Sequence, residues 1–552
     1  MSLIKTLNIE SMNFMLSTYG IESTWKLILR KYAESLGKDF DYVLESPELK
    51  ALSNKPTKTI KPTKTIKNEL NMINEIFSNL SIGEIGALYE YSLAYTNKEN
   101  RKNNGQFFTP NNIADLLASK TKEFPKNSIW LDPCSGVGNL SWHLINIQKN
   151  KEEFLLNNMI IADKDKLALL IARVIMTSSF QKNNKNLFNE IKNNFIEHDY
   201  LSGDHNNSKL PKHDYVIMNP PYVSRVRNEN YKTDKTGDYY SYFIEQSTKT
   251  ANGFISINPQ SFTHIKKFEP LRELLLNNWS DLTIYNFDNI PNNIFSGIKF
   301  GSKNTNKANS IRPSIIIAKD KKTIGDHGNS PNNGNEFSNN LSMRAKTTAL
   351  LRWRTEQRKE FLNSIDDYLC ETELTVENFP KISKPLNELY DKVKDLPKLE
   401  ELFSGKETEF VLYLPSSPRY FISAIKQPVK RSSIKKIFFE NEYNMNIAYL
   451  LLNSSYFYWW WRVKDGGMTL SLETIKTVPV IDFKINNKLI SKLEKSENNN
   501  KVFKKNAGST QENVKHPKEL VKEVTEYIFA ESQFDNQFLT ALIKTHNNSV
   551  VD

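Results

Sequence analysis

Residues 129–145 read IWLDPCSGVGNLSWHLI and carry the pattern from which the fold is predicted. A short apolar run is followed by Asp132, by a turn containing Gly136 and Gly138, and by a helical segment. Glycines at such a turn let the backbone approach a ligand, and the helix that follows presents free amide hydrogens. The pattern predicts a strand–turn–helix unit that binds a cofactor, with an ordinary strand-to-helix turn as the alternative.

Short apolar runs continue to alternate with helical stretches up to about residue 320. This alternation indicates a parallel sheet with crossover helices. The predicted strands cover residues 129–131, 159–162, 215–218, 254–257, 282–287 and 314–318. The expected fold class is therefore α/β, with a Rossmann-like core.

The flanking regions show other patterns. Apolar residues recur at helical spacing up to about residue 100, interrupted by the tandem hexapeptide KPTKTI at 55–66, which we interpret as an exposed linker. Residues 324–340 are rich in Gly, Asn and Ser and bury little apolar surface. We expect four segments: a helical amino-terminal domain at 1–104, a catalytic domain at 105–323, a linker at 324–344 and a mixed α+β carboxy-terminal domain at 345–552. Within the last of these, we expect the polar stretch at 496–517 to be mobile.

Composition limits the class of protein. The 552 residues suffice for several hydrophobic cores, so neither disulfides nor a structural metal is required. The two cysteines, the lack of a signal-like segment and the lack of a run of about 20 apolar residues predict a cytoplasmic protein without a membrane partner. A surplus of 74 Lys and Arg over 63 Asp and Glu gives +11 and favours a polyanionic partner, although basic chains also occur without one.

The acidic residues at the ends of three apolar runs indicate the cofactor. The Asp132 carboxylate suits a cationic ligand and disfavours pyrophosphate, which favours S-adenosylmethionine. Asp163 follows the run 159–162 and can accept both ribose hydroxyls, although a helix cap, a role that Asp165 could fill, is the alternative. Asp199 follows a short apolar step and could accept from the adenine amino group of the same cofactor.

Asn219-Pro220-Pro221-Tyr222 follows the apolar run 215–218 and fits a planar amino group. The Asn219 side-chain oxygen and the Pro220 carbonyl can both accept hydrogens from one NH₂ group, while the Tyr222 ring stacks on its plane. These bonds would make the adenine amino nitrogen a better nucleophile without an ionised base. A base within a duplex cannot reach such a pocket and must be flipped out.

Together these motifs resemble the amino-group DNA methyltransferases of the gamma arrangement, which place the cofactor motifs before the catalytic motif and the target-recognition region last. Gly105-Gln106-Phe107-Phe108-Thr109-Pro110 is similar to the family's cofactor loop, and Tyr89-Glu90 to its helical lead-in. The resemblance implies that Thr109 lines the methionine part of S-adenosylmethionine and that Phe295, or alternatively Phe300, is a second aromatic face for the target base. Asn139 departs from the family, which often has glycine there.

The resemblance implies a site-specific adenine methyltransferase, the modification enzyme of a restriction-modification system. Its expected partner is double-stranded DNA, with a separately encoded cognate restriction endonuclease as a candidate; no metal site is expected. The alternatives are methylation of a protein glutamine or an RNA base, or a modification subunit that needs a separate specificity subunit. The carboxy-terminal aromatics at 451–462 are expected to pack. Five basic residues are candidate phosphate contacts, with a solvated face as the alternative: Lys426, Lys430, Arg431, Lys435 and Lys436.

Overall fold

The structure, a computed structural model, describes residues 9–50, 64–96, 109–182, 184–202, 210–295, 311–322, 341–418, 421–467, 469–506 and 509–547. The chain divides into two compact units. The first comprises Met1–Pro259, Glu273–Thr283 and Asn293–Glu336, and the second comprises Gln260–Arg272, Ile284–Asn292 and Phe337–Asp552. The tandem hexapeptide and most of the expected linker at 324–344 lie outside the described residues.

The first unit begins with five helices. They are α1 (Ile9–Ser35), α2 (Asp41–Glu45), α3 (Pro47–Lys50), α4 (Lys64–Phe77) and α5 (Ile82–Thr96). The fully buried Trp25 ring anchors their core, because it meets the rings of Phe77 and Tyr89 edge to face at 6.1 and 5.3 Å. The predicted helical amino-terminal region is confirmed.

A largely parallel sheet forms the centre of the first unit. Its strands are β1 (Trp130–Asp132), β2 (Met159–Asp163), β3 (Phe195–Glu197), β4 (Tyr215–Met218), β5 (Phe254–Pro259), β6 (Trp279–Phe287, of which residues 279–283 belong to this unit) and β7 (Pro313–Lys321). Their order is β3-β2-β1-β4-β5-β7-β6. β3, β2, β1, β4 and β5 pair in parallel, and β7 pairs antiparallel to β5.

The sheet agrees with the predicted α/β class, with two differences. All six predicted strands exist. The seventh strand, β3, was not among them and was described only as a short apolar step, because it has three residues and none of them is buried. The prediction of parallel strands fails at β7. A parallel neighbour needs a crossover connection, and the described part of the chain between β6 and β7 contains no helix.

Helices precede or separate the strands. They are α6 (Asn111–Lys120), α7 (Asn139–Asn146), α8 (Lys151–Asn157), α9 (Lys166–Phe180), α10 (Leu187–Glu190), α11 (Tyr239–Thr250) and α12 (Glu269–Asn278). Because β1, β2 and β4 are parallel neighbours, their carboxyl ends meet at one edge of the sheet. Asp132, Asp163 and Asn219 stand at those three ends, so the topology brings together residues that are far apart in sequence.

The second unit mixes strands and helices. Its strands are β8 (Ser342–Leu351), β9 (Cys370–Thr375), β10 (Val411–Pro415), β11 (Ile434–Phe438), β12 (Lys501–Asn506) and β13 (Ser509–Val514). Its helices are α13 (Arg358–Asn363), α14 (Asn387–Val393), α15 (Glu442–Leu452), α16 (Ser455–Lys464), α17 (Leu472–Lys476), α18 (Asn487–Asn499), α19 (Lys518–Glu531) and α20 (Asn536–Asn547). β8 and β9, β10 and β11, and β12 and β13 form antiparallel pairs.

Two expectations about this unit have clear outcomes. The aromatic residues of α16 lie in the hydrophobic core, which confirms that they pack. The prediction that 496–517 is mobile is wrong, because α18 continues to Asn499 and residues 501–506 of β12 pair with residues 509–514 of β13. Polar side chains on both faces of the hairpin hide the alternation that identifies strands. Within the described residues, no helix combines the length and apolar character needed to cross a bilayer.

Candidate active site

A cavity of about 290 Å³ lies at the carboxyl edge of the parallel strands. Seven of the predicted site residues line it: Thr109, Asp132, Gly136, Asp163, Asp199, Asn219 and Pro221. Gly138, Pro220, Tyr222 and Phe295 are not among the lining residues. The fold therefore gathers residues from three strand ends and from the segment before α6 around one space.

The turn after β1 supplies the first wall. Asp132 is buried, and its Oδ2 accepts a hydrogen bond from the Ser141 hydroxyl at 2.8 Å. Burial raises the pKa of Asp132 to about 7. Gly136 has φ 52°, and a Cβ placed there would meet open space. Its backbone therefore borders the cavity without obstructing it.

Gly138 has a different position. It has φ 83° and caps α7, and an added Cβ would lie 2.5 Å from Cε of Met176 and 3.1 Å from Cβ of Ala172. A side chain would collide with α9, so the glycine allows α7 and α9 to pack closely. This packing role was not anticipated from the sequence.

The end of β2 supplies the second wall. The Oδ2 atom of Asp163 accepts from the Gly136 amide at 2.8 Å, and Oδ1 accepts from the Asp165 amide at 2.9 Å. Burial raises the pKa of Asp163. The helix cap of α9 is Asp165, which accepts from the Leu167 and Ala168 amides. Asp163 thus remains directed at the cavity, and its carboxylate ties the first wall to the second.

Beyond β3, Asp199 occupies an exposed position at the cavity rim. Its Oδ1 accepts from the Leu201 amide at 3.0 Å, which fixes a tight turn. The side chain lies next to Tyr200, which is buried and also lines the cavity. A planar group entering between these walls would find both a carboxylate and an aromatic residue.

Asn219 and Thr109 meet at the end of β4. The Asn219 Nδ2 donates to Oγ1 of Thr109 at 2.8 Å, and Nδ2 of Asn139 donates to the Thr109 carbonyl oxygen at 2.7 Å. Thr109 is therefore held by two side-chain amides, one from the start of α7 and one from the end of β4. Because the Asn219 nitrogen is bonded to Thr109, the plane of the amide and the side on which its oxygen lies are fixed.

Tyr222 follows Asn219 by three positions in sequence, and its ring contacts that of Phe295. Its hydroxyl donates to the Ile257 carbonyl at 3.1 Å, and its ring centroid is 6.1 Å from that of Phe295 at an interplanar angle of 65°. Since the two rings touch edge to face, a base could lie between them only after one of them moves. Phe300 and the predicted loop residues 105–108 lie outside the described residues.

Glu90 is a lining residue to which the sequence assigned no site role. It stands on α5 four positions after Gly86, on the same helical face, and burial raises its pKa to about 8. The preceding Tyr89 donates from its hydroxyl to Oδ2 of Asp165 at 2.7 Å. The four-residue spacing of Gly86 and Glu90 predicts that both lie on one face of a helix. The sequence does not show that this face borders the cavity at the sheet edge.

The loop after Pro221 and the start of α11 supply the remaining wall. Val223, Val226, Arg227, Asn228, Tyr239 and Phe243 line the cavity there. They follow residues 219–222 in sequence but carry no pattern that predicts contact with a ligand.

The donor set fits a cationic cofactor. Four carboxyl groups face the cavity, those of Glu90, Asp132, Asp163 and Asp199, against the cations of Lys164 and Arg227. Arg227 is engaged by Asp234, with Nε 2.7 Å from Oδ2. Crowded carboxyl groups, of which those of Asp132 and Asp163 are buried, disfavour a pyrophosphate and favour a ligand with ammonium and sulfonium charges. The residues present therefore suit S-adenosylmethionine.

Residues 81–257 match the family described as N-6 DNA Methylase. Residues 81–257 are therefore similar in sequence to N-6 DNA methylases. The match confirms the resemblance to amino-group DNA methyltransferases that the motifs predicted, and it spans α5, the cofactor walls and the end of β4. No curated protein matches the chain at a significant level.

Solved structures similar to the chain include several restriction-modification proteins. A DrdV–DNA complex is 13% identical over 74% of this chain and 47% of that chain, with a TM-score of 0.47. The type IIG restriction endonuclease BpuSI is 12% identical over 98% and 78%, with a TM-score of 0.46. A type I methyltransferase subunit from Streptococcus thermophilus is 13% identical over 64% and 77%, with a TM-score of 0.38. The chain thus spans about half the length of the DrdV chain.

Proposed function

We propose that this protein is a site-specific DNA methyltransferase that modifies the exocyclic amino group of adenine. The observation that supports it most is the hydrogen bond from Asn219 to Thr109 at a cavity lined by Asp132 and Asp163. That bond fixes the plane of the amide that must meet the substrate. The N-6 DNA methylase match supports the same reaction class.

Asn219 and Pro220 would position the amino group. The adenine nitrogen is a weak nucleophile because its lone pair is delocalised into the ring. The Asn219 side-chain oxygen and the Pro220 carbonyl accept its two hydrogens, which favours a pyramidal nitrogen whose lone pair points at the incoming methyl carbon. Pro221 follows Pro220 and fixes the backbone that presents this carbonyl.

Each of the proposed cofactor-binding residues would contact a different part of S-adenosylmethionine. S-adenosylmethionine supplies an electrophilic methyl group on its sulfonium. Asp163 accepts the ribose hydroxyls with the lone pairs that the two backbone amides leave available, and Asp199 accepts from the cofactor's adenine amino group. Asp132 and the backbone around Gly136 and Gly138 receive the amino acid part, next to Thr109.

The aromatic pair would receive the target base. Tyr222 stacks on the flipped adenine, and Phe295 moves from its edge-to-face contact to become the second face. The buried position of Phe295 keeps this ring away from solvent when no base is bound. Removing the ring would therefore weaken binding of the base more than binding of the cofactor.

We assign the biological role of a modification enzyme in a restriction-modification system. Residues 105–323 would carry catalysis, residues 345–552 would read the DNA, and the helical residues 1–104 would complete the cofactor site through α5. The basic net charge of +11 supports a duplex DNA partner. A cognate endonuclease encoded separately would cut unmodified sites.

One experiment tests the proposal. Purified protein is incubated with S-adenosylmethionine and unmethylated genomic DNA, and modified adenines are mapped by sequencing. We expect one recurrent motif, and we expect Asn219→Ala to abolish methylation while cofactor binding measured by calorimetry persists. Methyl incorporation into RNA or protein instead of DNA, or full activity of Asn219→Ala, would overturn the proposal.

A further inference from the structure

The hairpin β12–β13 has a fixed place in the second unit. Its two strands pair over six residue pairs, from Lys501 opposite Val514 to Asn506 opposite Ser509. Residues 430–433 run beside β13, since the Glu512 amide donates to the Lys430 carbonyl at 2.8 Å and the Lys430 amide donates to Oε2 of Glu512 at 2.9 Å. We call the hairpin and residues 430–433 the basic ribbon.

One face of the hairpin is basic and aromatic. Side chains two apart on a strand point to the same side, so Lys501, Phe503 and Lys505 share a face. Lys501 is paired with Glu512, with Nζ 2.8 Å from Oε1. Among the described residues, no carboxylate pairs with Lys505 or with Lys430, and both are exposed. Lys505, on the same face as Phe503, and Lys430, on the segment beside β13, are therefore two exposed cations without a paired carboxylate among the described residues.

Phe503 is exposed in a way that folding does not explain. Its exposed fraction is 65%, and that of the adjacent Val502 is 43%, on the opposite face. An exposed apolar side chain does not gain the favourable free energy of burial in the core. Exposed strands also tend to aggregate unless charged side chains protect them. Lysines on both sides of Phe503 supply such protection. A surface of this kind is suited to a polyanion that also offers flat apolar groups.

Arg431 extends the same surface. Its guanidinium donates to the Asn513 side chain, which orients it along β13, and the Ser432 amide donates to Oε1 of Gln511 at 2.8 Å. These contacts hold the basic stretch against the hairpin, although about 70 residues or more separate the two in sequence. The positive groups are thus arranged in advance of any binding event.

We propose that the basic ribbon is a DNA-contacting surface, with Lys430, Arg431 and Lys505 on phosphates and the Phe503 ring against a base or sugar in the groove. The inference rests on the proposed function, because it takes duplex DNA as the substrate. Two-stranded ribbons enter DNA grooves, and exposed phenylalanines act as wedges between base steps. Charge complementarity favours DNA over a protein as the partner of this surface. A surface that binds a protein would have a larger apolar patch and no unpaired lysines.

Binding of a labelled duplex that contains the mapped methylation site tests the inference, measured by fluorescence anisotropy over a series of NaCl concentrations. For Lys430→Ala with Lys505→Ala, we expect the slope of log K against log salt to become shallower by about 1.8, since each phosphate contact contributes about 0.9. For Phe503→Ala, we expect about tenfold weaker binding with an unchanged slope, because a stacked ring is lost while every phosphate contact remains.

Matched variants separate the ribbon from general effects. Lys484→Ala with Lys488→Ala removes two exposed lysines of the same unit, and Tyr443→Ala removes an aromatic ring with a 61% exposed fraction. We expect both to bind DNA as the wild type does. Lysine-to-arginine changes at 430 and 505 should preserve the slope, and thermal melting should show that every variant is folded.

The outcomes distinguish this inference from the proposed function. If the wild type binds and methylates DNA while the ribbon variants keep its affinity and slope, the ribbon inference is overturned and the proposed function stands. The same holds if the ribbon variants lose only a protein partner. If the wild type neither binds nor methylates DNA, the proposed function fails, and the ribbon inference fails with it.

Discussion

The side-chain nitrogen of Asn219 donates to the hydroxyl of Thr109 at 2.8 Å, a contact that joins positions 110 residues apart. It makes the orientation of the Asn219 amide depend on Thr109, which lines the same cavity. Under the proposed function, cofactor placement and presentation of the substrate amino group are therefore linked by one hydrogen bond.

Thr109→Val should impair catalysis through Asn219. The substitution preserves shape but removes the acceptor, and a lost hydrogen bond of about 1 kcal/mol would let the amide rotate. We expect kcat to fall at least tenfold with a smaller change in the KM for S-adenosylmethionine, measured by methyl incorporation into DNA. Thr109→Ser keeps the hydroxyl and is the control; equal losses in both variants would contradict the linkage.

Gly138 and Gly136 should respond differently to alanine. At Gly138, a positive φ combines with a collision with α9, so we expect a loss of about 1–3 kcal/mol of unfolding free energy. At Gly136, the added methyl enters open space beside the cavity, so the larger effect should be on cofactor binding. Urea titration and calorimetry with S-adenosylmethionine measure the two quantities. A reversed order of effects would contradict these positions.

The cavity carboxyl groups should make stability depend on pH. Burial raises the pKa of Glu90 from 4.5 to about 8, so the folded protein holds this proton more tightly than the unfolded chain does. Stability therefore falls as pH rises from about 4.5 to about 8. Glu90→Gln should flatten the profile of Tm against pH in that window. Glu84→Gln, on the same helix, is the control, and an unchanged profile for Glu90→Gln would refute the prediction.

Cofactor binding should release protons near neutral pH. Burial also raises the pKa of Asp132 to about 7, and a bound cation lowers the pKa of neighbouring carboxyl groups. The enthalpy of S-adenosylmethionine binding should therefore vary with the ionisation enthalpy of the buffer. Asp132→Asn should reduce that variation, whereas a buffer-independent enthalpy in the wild type would show that no proton is released.

A buried ion cluster should contribute strongly to the second unit. Oδ2 of Asp288 lies 2.6 Å from Nε of Arg352 and 2.7 Å from Nη2 of Arg462, and all three side chains are buried. Asp288→Asn would leave two guanidinium groups without their shared carboxylate, at a cost of about 3–5 kcal/mol. Glu371→Gln breaks an exposed pair with Arg344 and should cost under about 1 kcal/mol. Chemical denaturation compares the two.

The sequence predicted the sheet well because its strands are apolar and end in functional residues. Asp132, Asp163 and Asn219 each follow such a run, and parallel topology then places them together without further information. Tyr215–Met218 was predicted with the bounds that the structure has.

Features that depend on packing between distant segments could not be predicted in this way. Glu90 enters the cavity only because α5 packs near the sheet edge, and Gly138 is required by a methionine on α9. The hairpin β12–β13 was missed because its stabilising partners lie at 430–433, and its polar side chains resemble those of a loop.

The two asparagines that hold Thr109 also bear on how such enzymes can be recombined. Asn139 and Asn219 reach it from separate structural elements, so a chimaera that takes Asn139 from another parent would retain the proposed catalytic residues yet lose half of this clamp. Positions 109, 139 and 219 form a minimal exchange unit, and hybrids made by domain shuffling should be designed to inherit all three from one parent.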